Sequence, residues 1–567
     1  MNAKVRRRLR NCKRRIRHRL RPKQWPEQHR RLFRDRNIHY ELGDKTQGLH
    51  AGGLGALQLL VQRLGLADAI DRNLHLLKRH LPYFESDHVL NLAYNLLAGG
   101  RCLQDLELLR GNETYLDVLG TPRIPDPTTA GDFLRRFRAA DIDALQRALN
   151  DTRVQVWQRQ PAAFREHAVI DADGTLVGTT GACKQGMDLS YKGLWGYHPL
   201  LVSLANTQEP LFVVNRPASR PSYEGAADYL DRAADLCRRA GFRKVSFRGD
   251  TDFTQAAHLD RWDAAGIRFV FGLDAQPNLV ALAQQLPERV WQELPRPARY
   301  EVATAPRQRP ADVKQEVVVR KGYADLRLVG EQVAEFNYRP GACRQDYLVV
   351  VLRKRLVLEK RGEKVGEETR YFFYITNEWA WERPAVVSFA NGRGNQENLI
   401  EQTKNGVRAL HAPVNTLEAN GAYMVIAALA WSLKAWLAPV QPRSADRQGL
   451  LRMEFKKFLQ EVVLLPCQVV RAGRRLLYRL LQWNPWVDVL CRAVEVCAAC
   501  ASAEAGALKS RSGCLDPCRR RTPERATDMA EPTRCESATS AWRRGWSIPT
   551  PGGRQPARAR GTRLFWD

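Results

Sequence analysis

Apolar positions change their period several times along the chain, and each change marks a different kind of element. From about Gly52 to Arg159 they recur at helical spacing: Leu54, Leu57, Leu60 and Val61 form one face, and Leu90, Leu92, Ala93, Leu96 and Leu97 a second. At Asp126-Pro-Thr-Thr an acid able to cap free amides precedes a proline suited to a first turn, so a helix is predicted to start there. Its apolar residues Phe133, Leu134 and Phe137 lie opposite Arg135 and Arg136. Such a helix suits DNA reading, and equally plain packing with a basic outer side.

From His167 the pattern shortens to β-like runs. AVIDADGTLVG reads as a strand, a turn at Asp173-Gly174 and a second strand, and HPLLVSLAN and LFVVNR supply two more. A helix over about 224–240 follows, then the strand KVSFRGD, a helix near 255–265 and the strand IRFVFGL. Alternation of this kind predicts an α/β domain with acids at strand ends, where ligand sites of such sheets lie. Residues 276–368 carry further β-like runs (EVVVRK, LRLVG, DYLVVVLRK) between Pro, Gly and charge, and read as an inserted β-rich subdomain. YFFYITN returns to a core strand, and a long helical part runs from about Gln396 to Trp436. Past about Trp486 the hydrophobic pattern decays. The predicted divisions are a basic disordered arm (1–36), a helical DNA-binding region (37–160), a catalytic α/β domain in two parts (161–275 and 369–490) around the insertion, and a disordered tail (491–567).

Composition narrows the partner. The 567 residues are 44% apolar, enough for a sizeable core, and carry a net charge of +28, which points to a polyanion such as nucleic acid. Half of that charge sits in residues 1–36, where 16 Lys or Arg face Glu27 and Asp35; the arm reads as a segment that orders on a polyanion, or as a solubilising tail. No transmembrane helix is predicted, because Ser432 and Lys434 interrupt the most apolar stretch, Gly421 to Val440. The basic N-terminus lacks the apolar run of a secretory signal, and twelve scattered cysteines fit reduced thiols, so a cytoplasmic, nucleoid-associated protein is expected. Cys497, Cys500, Cys514 and Cys518 have zinc-like spacing, but the surrounding Ala-, Ser-, Pro- and Arg-rich tail weighs against zinc.

Candidate chemistry lies in acids at strand ends. Phosphodiester cleavage is served by two divalent ions that stabilise the attacking and leaving oxygens, and hard cations take carboxylate ligands. Asp171 and Asp173 share one face of a strand, Asp250 and Asp252 end another, and Glu397 and Glu401 stand on a later helix. Each acid alone is ordinary. On that helix Arg393, Glu397, Ile400, Lys404 and Arg408 fall within one face about 80° wide, an acid among three cations, which suits a metal ligand beside phosphate binders. An ordinary solvated face with charge pairing has the same pattern.

The run FANGRGNQENLIEQTKNG resembles the third signature of the insertion-sequence 4-like superfamily of transposases, Y-x2-R-x3-E-x6-K, with Arg393, Glu397 and Lys404 in register. RGDTDF resembles the second signature, and DADGT followed by YKGLWGYHPLL the first. With NRPASRPSYEGAADYLD and FVFGLDA, these segments are most similar to the insertion-sequence 1380 family over about residues 30–490. The resemblance implies a DDE transposase with an RNase H-like catalytic domain. It further implies two Mg2+ or Mn2+ ions and no nucleotide cofactor, and double-stranded DNA, as terminal inverted repeats and target, for partner. A homodimer is expected on the DNA. Carried over by residue, Asp173, Asp250 and Glu397 become metal ligands, with Asp171, Asp252 and Glu401 as second choices, and Arg393 and Lys404 become backbone contacts. Asp173 is preferred to Asp171 because Asp173 with Thr175 matches the D-x-T form. One position departs: the tyrosine expected three residues before Arg393 is Ala390, beside Phe389, so that hydroxyl is missing.

Arg408, Lys192, Arg216 and Arg248 are further expected DNA contacts, since Arg suits bidentate phosphate binding; Arg220 and the tyrosines flanking Lys192, Tyr191 and Tyr197, fit the same channel. Trp291, in the insertion, suits stacking on an unpaired base or burial in the core, the latter being the stronger reading.

Overall fold

His167–Gly174 (β1) is the strand around which the molecule is arranged. The computed structural model describes residues 3–20, 39–40, 46–296, 313–473 and 475–498. Further strands of the same sheet are Leu200–Leu204 (β2), Glu209–Val214 (β3), Lys244–Gly249 (β4), Arg268–Leu273 (β5), Gln292–Glu293 (β6), Ala324–Tyr338 (β7), Tyr347–Lys360 (β8) and Glu363–Thr376 (β9). Their order is β6-β7-β8-β9-β5-β4-β1-β2-β3. β1 and β4 are parallel, as are β4 and β5, and all other neighbours are antiparallel. Parallel neighbours need a crossover. The helices Ala226–Arg239 (α1) and Ala256–Ala264 (α2) provide it, and α1 buries Leu230, Ala233, Ala234 and Cys237, the face that the sequence pattern marks.

The expected β-rich insertion is not a separate subdomain. β7, β8 and β9 are long antiparallel strands that extend the main sheet, and the end of β9 pairs with β5 from Phe373↔Leu273 to Thr376↔Val270. The predicted boundary at residue 368 therefore cuts through β9. These strands are apolar where Val349, Val351, Phe373 and Ile375 join the main core and charged where they run out past it, and period-2 patterning says nothing about which sheet a strand joins. EVVVRK lies in the helix Val313–Lys321 rather than in a strand: its valines favour extended backbone, but no strand pairs with them here. Trp291 is buried beneath the Arg353 guanidinium, 4.1 Å from the ring centroid, so it is a core residue.

The long helix expected over 396–436 is broken. Arg383–Asn391 (α3) and Gly394–Glu401 (α4) are followed by a π-type turn, Gln402–Gly406, and Arg408 takes a left-handed φ of 57° before Leu417–Leu437 (α5) begins. Thr416 caps α5 by accepting from the amide of Ala419. α5 is buried from Ala419 to Leu437 and packs between the sheet and the N-terminal helices Glu85–Leu97 and Ala139–Gln158, so the most apolar stretch of the chain is a core helix. Among the described residues no helix is long and apolar enough to cross a membrane.

Asp126 caps its helix as expected, accepting from the amides of Thr128 and Thr129 at 2.9 Å, and Phe133, Leu134 and Phe137 are buried beneath exposed Arg135 and Arg136. The strand Gln47–Leu49 pairs with Cys467–Ala472, which pairs in turn with Arg475–Leu480. Two terminal expectations change. Residues Ala3–Leu20 of the arm are helical, in keeping with the helix preference of Arg, Lys and Leu, and Leu9 packs onto the core. Residues 487–498 are also helical with Val487, Leu490, Ala493 and Cys497 buried, so the predicted tail boundary at 491 falls inside a packed element. Residues 21–36 and 499–567, with Cys500, Cys514 and Cys518, lie outside the described residues.

Candidate active site

Three of the acids singled out by sequence come together from three separate elements. Asp173 stands near the end of β1, Asp250 immediately follows β4, and Glu397 lies in the first turn of α4. The Arg393 guanidinium sits among them, its Nη1 3.4 Å from Asp173 and 3.1 Å from Asp250 and its Nη2 3.2 Å from Glu397. Asp173 is 15% exposed and Asp250 32%, whereas Glu397, at 64%, faces solvent. Burial, reinforced by the neighbouring Asp250 charge, pushes the Asp173 carboxyl up to about 7; burial raises Asp250 as well. Two half-desolvated carboxylates beside one another are held by one cation, a costly arrangement without it.

The backbone delivers these groups by simple means. Parallel strands β1 and β4 end side by side, which brings Asp173 and Asp250 to the same edge. Asp250 also caps the short turn Thr251–Phe253, accepting from the Asp252 amide at 3.1 Å. Helix α4 is fixed to the sheet by Gln396, fully buried, which donates to the Leu201 carbonyl at 3.2 Å and accepts from Ser203 Oγ. Beside Gln396, the exposed Glu397 reaches back to the Arg393 guanidinium at 3.2 Å. Gly174 is needed where it stands: a Cβ there lies 2.8 Å from His198 Nε2.

Other candidates separate. Asp171 and Arg248, register partners across β1 and β4, form a bidentate buried pair at 2.6 and 2.8 Å. Asp171, a second-choice ligand, is thus engaged in the core by Arg248, and Arg248, expected as a DNA contact, also donates to the Phe389 carbonyl at 2.8 Å and so holds the end of α3. Arg216 is likewise an internal tie, donating to the carbonyls of His198, Ser222 and Glu224. Strand patterning misses both because it does not say which basic residues find partners across the sheet. Asp252 and Glu401 are exposed outside the triad; Glu401 accepts from Asn405 at 2.7 Å. Lys404, on the π-type turn, is half-buried, and its ammonium is lowered by burial. Lys192 is exposed, near enough to Lys404 for their charges to interact, and 5.2 Å from the Tyr191 ring centroid. Arg408 is displaced from the predicted helical face by the break after α4.

The structure adds residues that sequence patterning passes over. A cleft of about 590 Å3 runs beside the acids, lined by Asp250, Asp274, Phe372, Tyr374, Ala390 and Arg393 among others. Tyr374 and Ala390 pack on one small apolar cluster, so a tyrosine from β9 stands in the cleft where α3 itself carries none at 390. No spacing rule links residues 374 and 393; only the sheet does. Near Lys192, Tyr191, Leu194 and Trp195 are exposed, at 78%, 49% and 55%.

This arrangement of strand-end acids and a helix-borne glutamate lies within a family match that spans most of the chain: residues 49–501 fit the model described as Transposase DDE domain group 1. The chain belongs to this transposase family. No curated protein matches it. Among solved structures, the cryo-EM piggyBac transposase synaptic complex with hairpin DNA aligns with 73% of this chain and 81% of that one, at 11% identity and a TM-score of 0.31. The matched span of the transposase includes the helix at 487–498, beyond the point where hydrophobic patterning fades.

Proposed function

We propose that this transposase cuts DNA at the ends of its own insertion sequence and joins those ends to target DNA, with Asp173, Asp250 and Glu397 as the ligands of divalent metal. The observation that carries the reading is the convergence of these three carboxylates, from β1, β4 and α4, on the single Arg393 guanidinium. Oxygen donors of this kind suit Mg2+ or Mn2+ in their chemistry, and the guanidinium among them stands where a positive charge is held. The bound metal supplies Lewis-acid stabilisation of the attacking and leaving oxygens. The chain's own residues bind and orient the DNA. Arg393 and Lys404 take backbone phosphates, Lys192 and the exposed Tyr191 and Trp195 flank the path of the strand, and Tyr374 offers a hydroxyl from the cleft wall. The strand order β3-β2-β1-β4-β5, three antiparallel strands followed by two parallel ones, supports an RNase H-like catalytic core. The high positive charge supports DNA as partner, with the terminal inverted repeats as its specific site.

The test is cleavage and joining of DNA carrying the flanks of the gene. Asp173→Asn, Asp250→Asn and Glu397→Gln are each expected to abolish cutting while leaving binding near the wild-type level, because they remove metal ligands and leave the basic surface intact. Full activity in any one variant removes that residue from the site. Cutting without joining makes the protein a nuclease instead.

A further inference from the structure

Arg393 is the ion-pair partner of all three acids, and among the described residues Asp173, Asp250 and Glu397 have no other ion-pair partner. Nor do any three Asp, Glu, His or Cys side chains among the described residues stand close enough together to hold one metal ion as they are placed. The site is therefore closed around an internal cation. We propose that Arg393 is a placeholder whose departure opens the site to divalent metal, and that a DNA phosphate draws it out, so that DNA and metal bind cooperatively. The proposal rests on the reading of the three acids as metal ligands, and concerns how that site is filled.

The physical case is a competition for charge. Removing Arg393 with nothing in its place leaves Asp173 and Asp250 close together and largely desolvated, so the site exchanges one cation for another rather than standing empty. Metal alone must displace a guanidinium that three acids hold at 3.1 to 3.4 Å and leave it without an anionic partner. A phosphate removes that second difficulty, because guanidinium binds phosphate in the same forked geometry as carboxylate. The side chain has somewhere to go. It is 24% exposed, it leaves the chain at the break between α3 and α4, and the space beside Gly394 is open. It also lines the cleft that runs beside the acids. Linkage then requires reciprocity: whatever factor DNA adds to metal affinity, metal adds to DNA affinity. In the absence of DNA the same latch keeps the cutting site from loading.

The experiment measures Mn2+ binding to the full chain by calorimetry and electron paramagnetic resonance, with and without a short duplex carrying the element end and blocked against cleavage. In the wild type the duplex is expected to tighten Mn2+ about ten-fold or more, and Mn2+ to tighten the duplex by the same factor. Arg393→Gln is expected to bind Mn2+ about ten-fold more tightly than wild type without DNA and to lose most of the coupling. Arg393→Lys, which keeps the charge but not the fork, is expected to remain latched with weaker coupling, and it carries the test if the glutamine variant does not fold. Unchanged DNA-free Mn2+ affinity in Arg393→Gln, together with loss of Mn2+ binding in Asp250→Asn, overturns the latch and leaves the acid site standing. Mn2+ binding unaffected by both Asp250→Asn and Glu397→Gln overturns the acid site itself, and the latch with it.

Discussion

Asp173 and Asp171, two residues apart on one strand, have opposite fates. Asp171 is locked to Arg248 in the core, while Asp173 faces Asp250 and Arg393 and is pushed up to about 7 by burial. An acid raised in the folded state leaves stability intact below its unfolded value near 4, loses it as pH climbs from there to about 7, and stays destabilised above. Asp173→Asn is therefore expected to raise metal-free stability above pH 7, by on the order of 2 kcal/mol, and to leave it unchanged near pH 4. Denaturant unfolding at the two pH values checks this; equal gains at both contradict it. Arg248→Ala strands a buried carboxylate and is expected to cost about 3–5 kcal/mol in the same assay. The salt dependence of DNA binding by the folded fraction should not change, which separates a structural arginine from a phosphate contact. Sequence places Arg248 next to Asp250 and makes it a natural DNA ligand. Its real partner is 77 positions away, reached through the parallel register of β1 and β4, and no local pattern encodes that register.

At the scale of elements, the joint between α3 and α4 sets the site. Arg248 Nη1 bonds the Phe389 carbonyl, and a Cβ on Gly392 lies only 2.1 Å from that same nitrogen. Gly392→Ala is expected to push the guanidinium away, cost about 1–3 kcal/mol, and shift Arg393 and Glu397 with the start of α4, so that cleavage falls more than DNA binding does. Parallel measurement of melting temperature, binding and cutting resolves the three effects. Much at this level is legible in sequence: strands ending in Asp173 and Asp250, the crossover helix over 226–239, the cap at Asp126. What is not legible are features decided by distant neighbours. The valines of Val313–Lys321 read as a strand, the π-type turn interrupts a sustained helical period, and β7 to β9 join the main sheet though nothing in their alternation says so.

Across the whole molecule, the described residues share one main apolar core that runs from Leu49 to Cys497. A chain ending at residue 498 is expected to keep its melting temperature and metal-dependent cutting, whereas ending at 486 removes the buried Val487, Leu490, Ala493 and Cys497 and the carbonyl that Arg63 bonds, and is expected to lower stability by several times the cost of about 1.5–3 kcal/mol for one large buried side chain. Comparing the two truncations by circular dichroism decides it; loss of folding in the longer one contradicts the boundary. The pairing of Gln47–Leu49 with Cys467–Ala472 has a consequence for how the protein is made. The strand at residues 47–49 finds its neighbour only once residues 467–472 have been made, and the buried helix α5, Leu417–Leu437, also follows it by most of the described chain. Long separations of this kind slow folding and leave early segments waiting with apolar surface uncovered. A product interrupted before residue 467 therefore leaves Gln47–Leu49 without its neighbour and this part of the core uncovered.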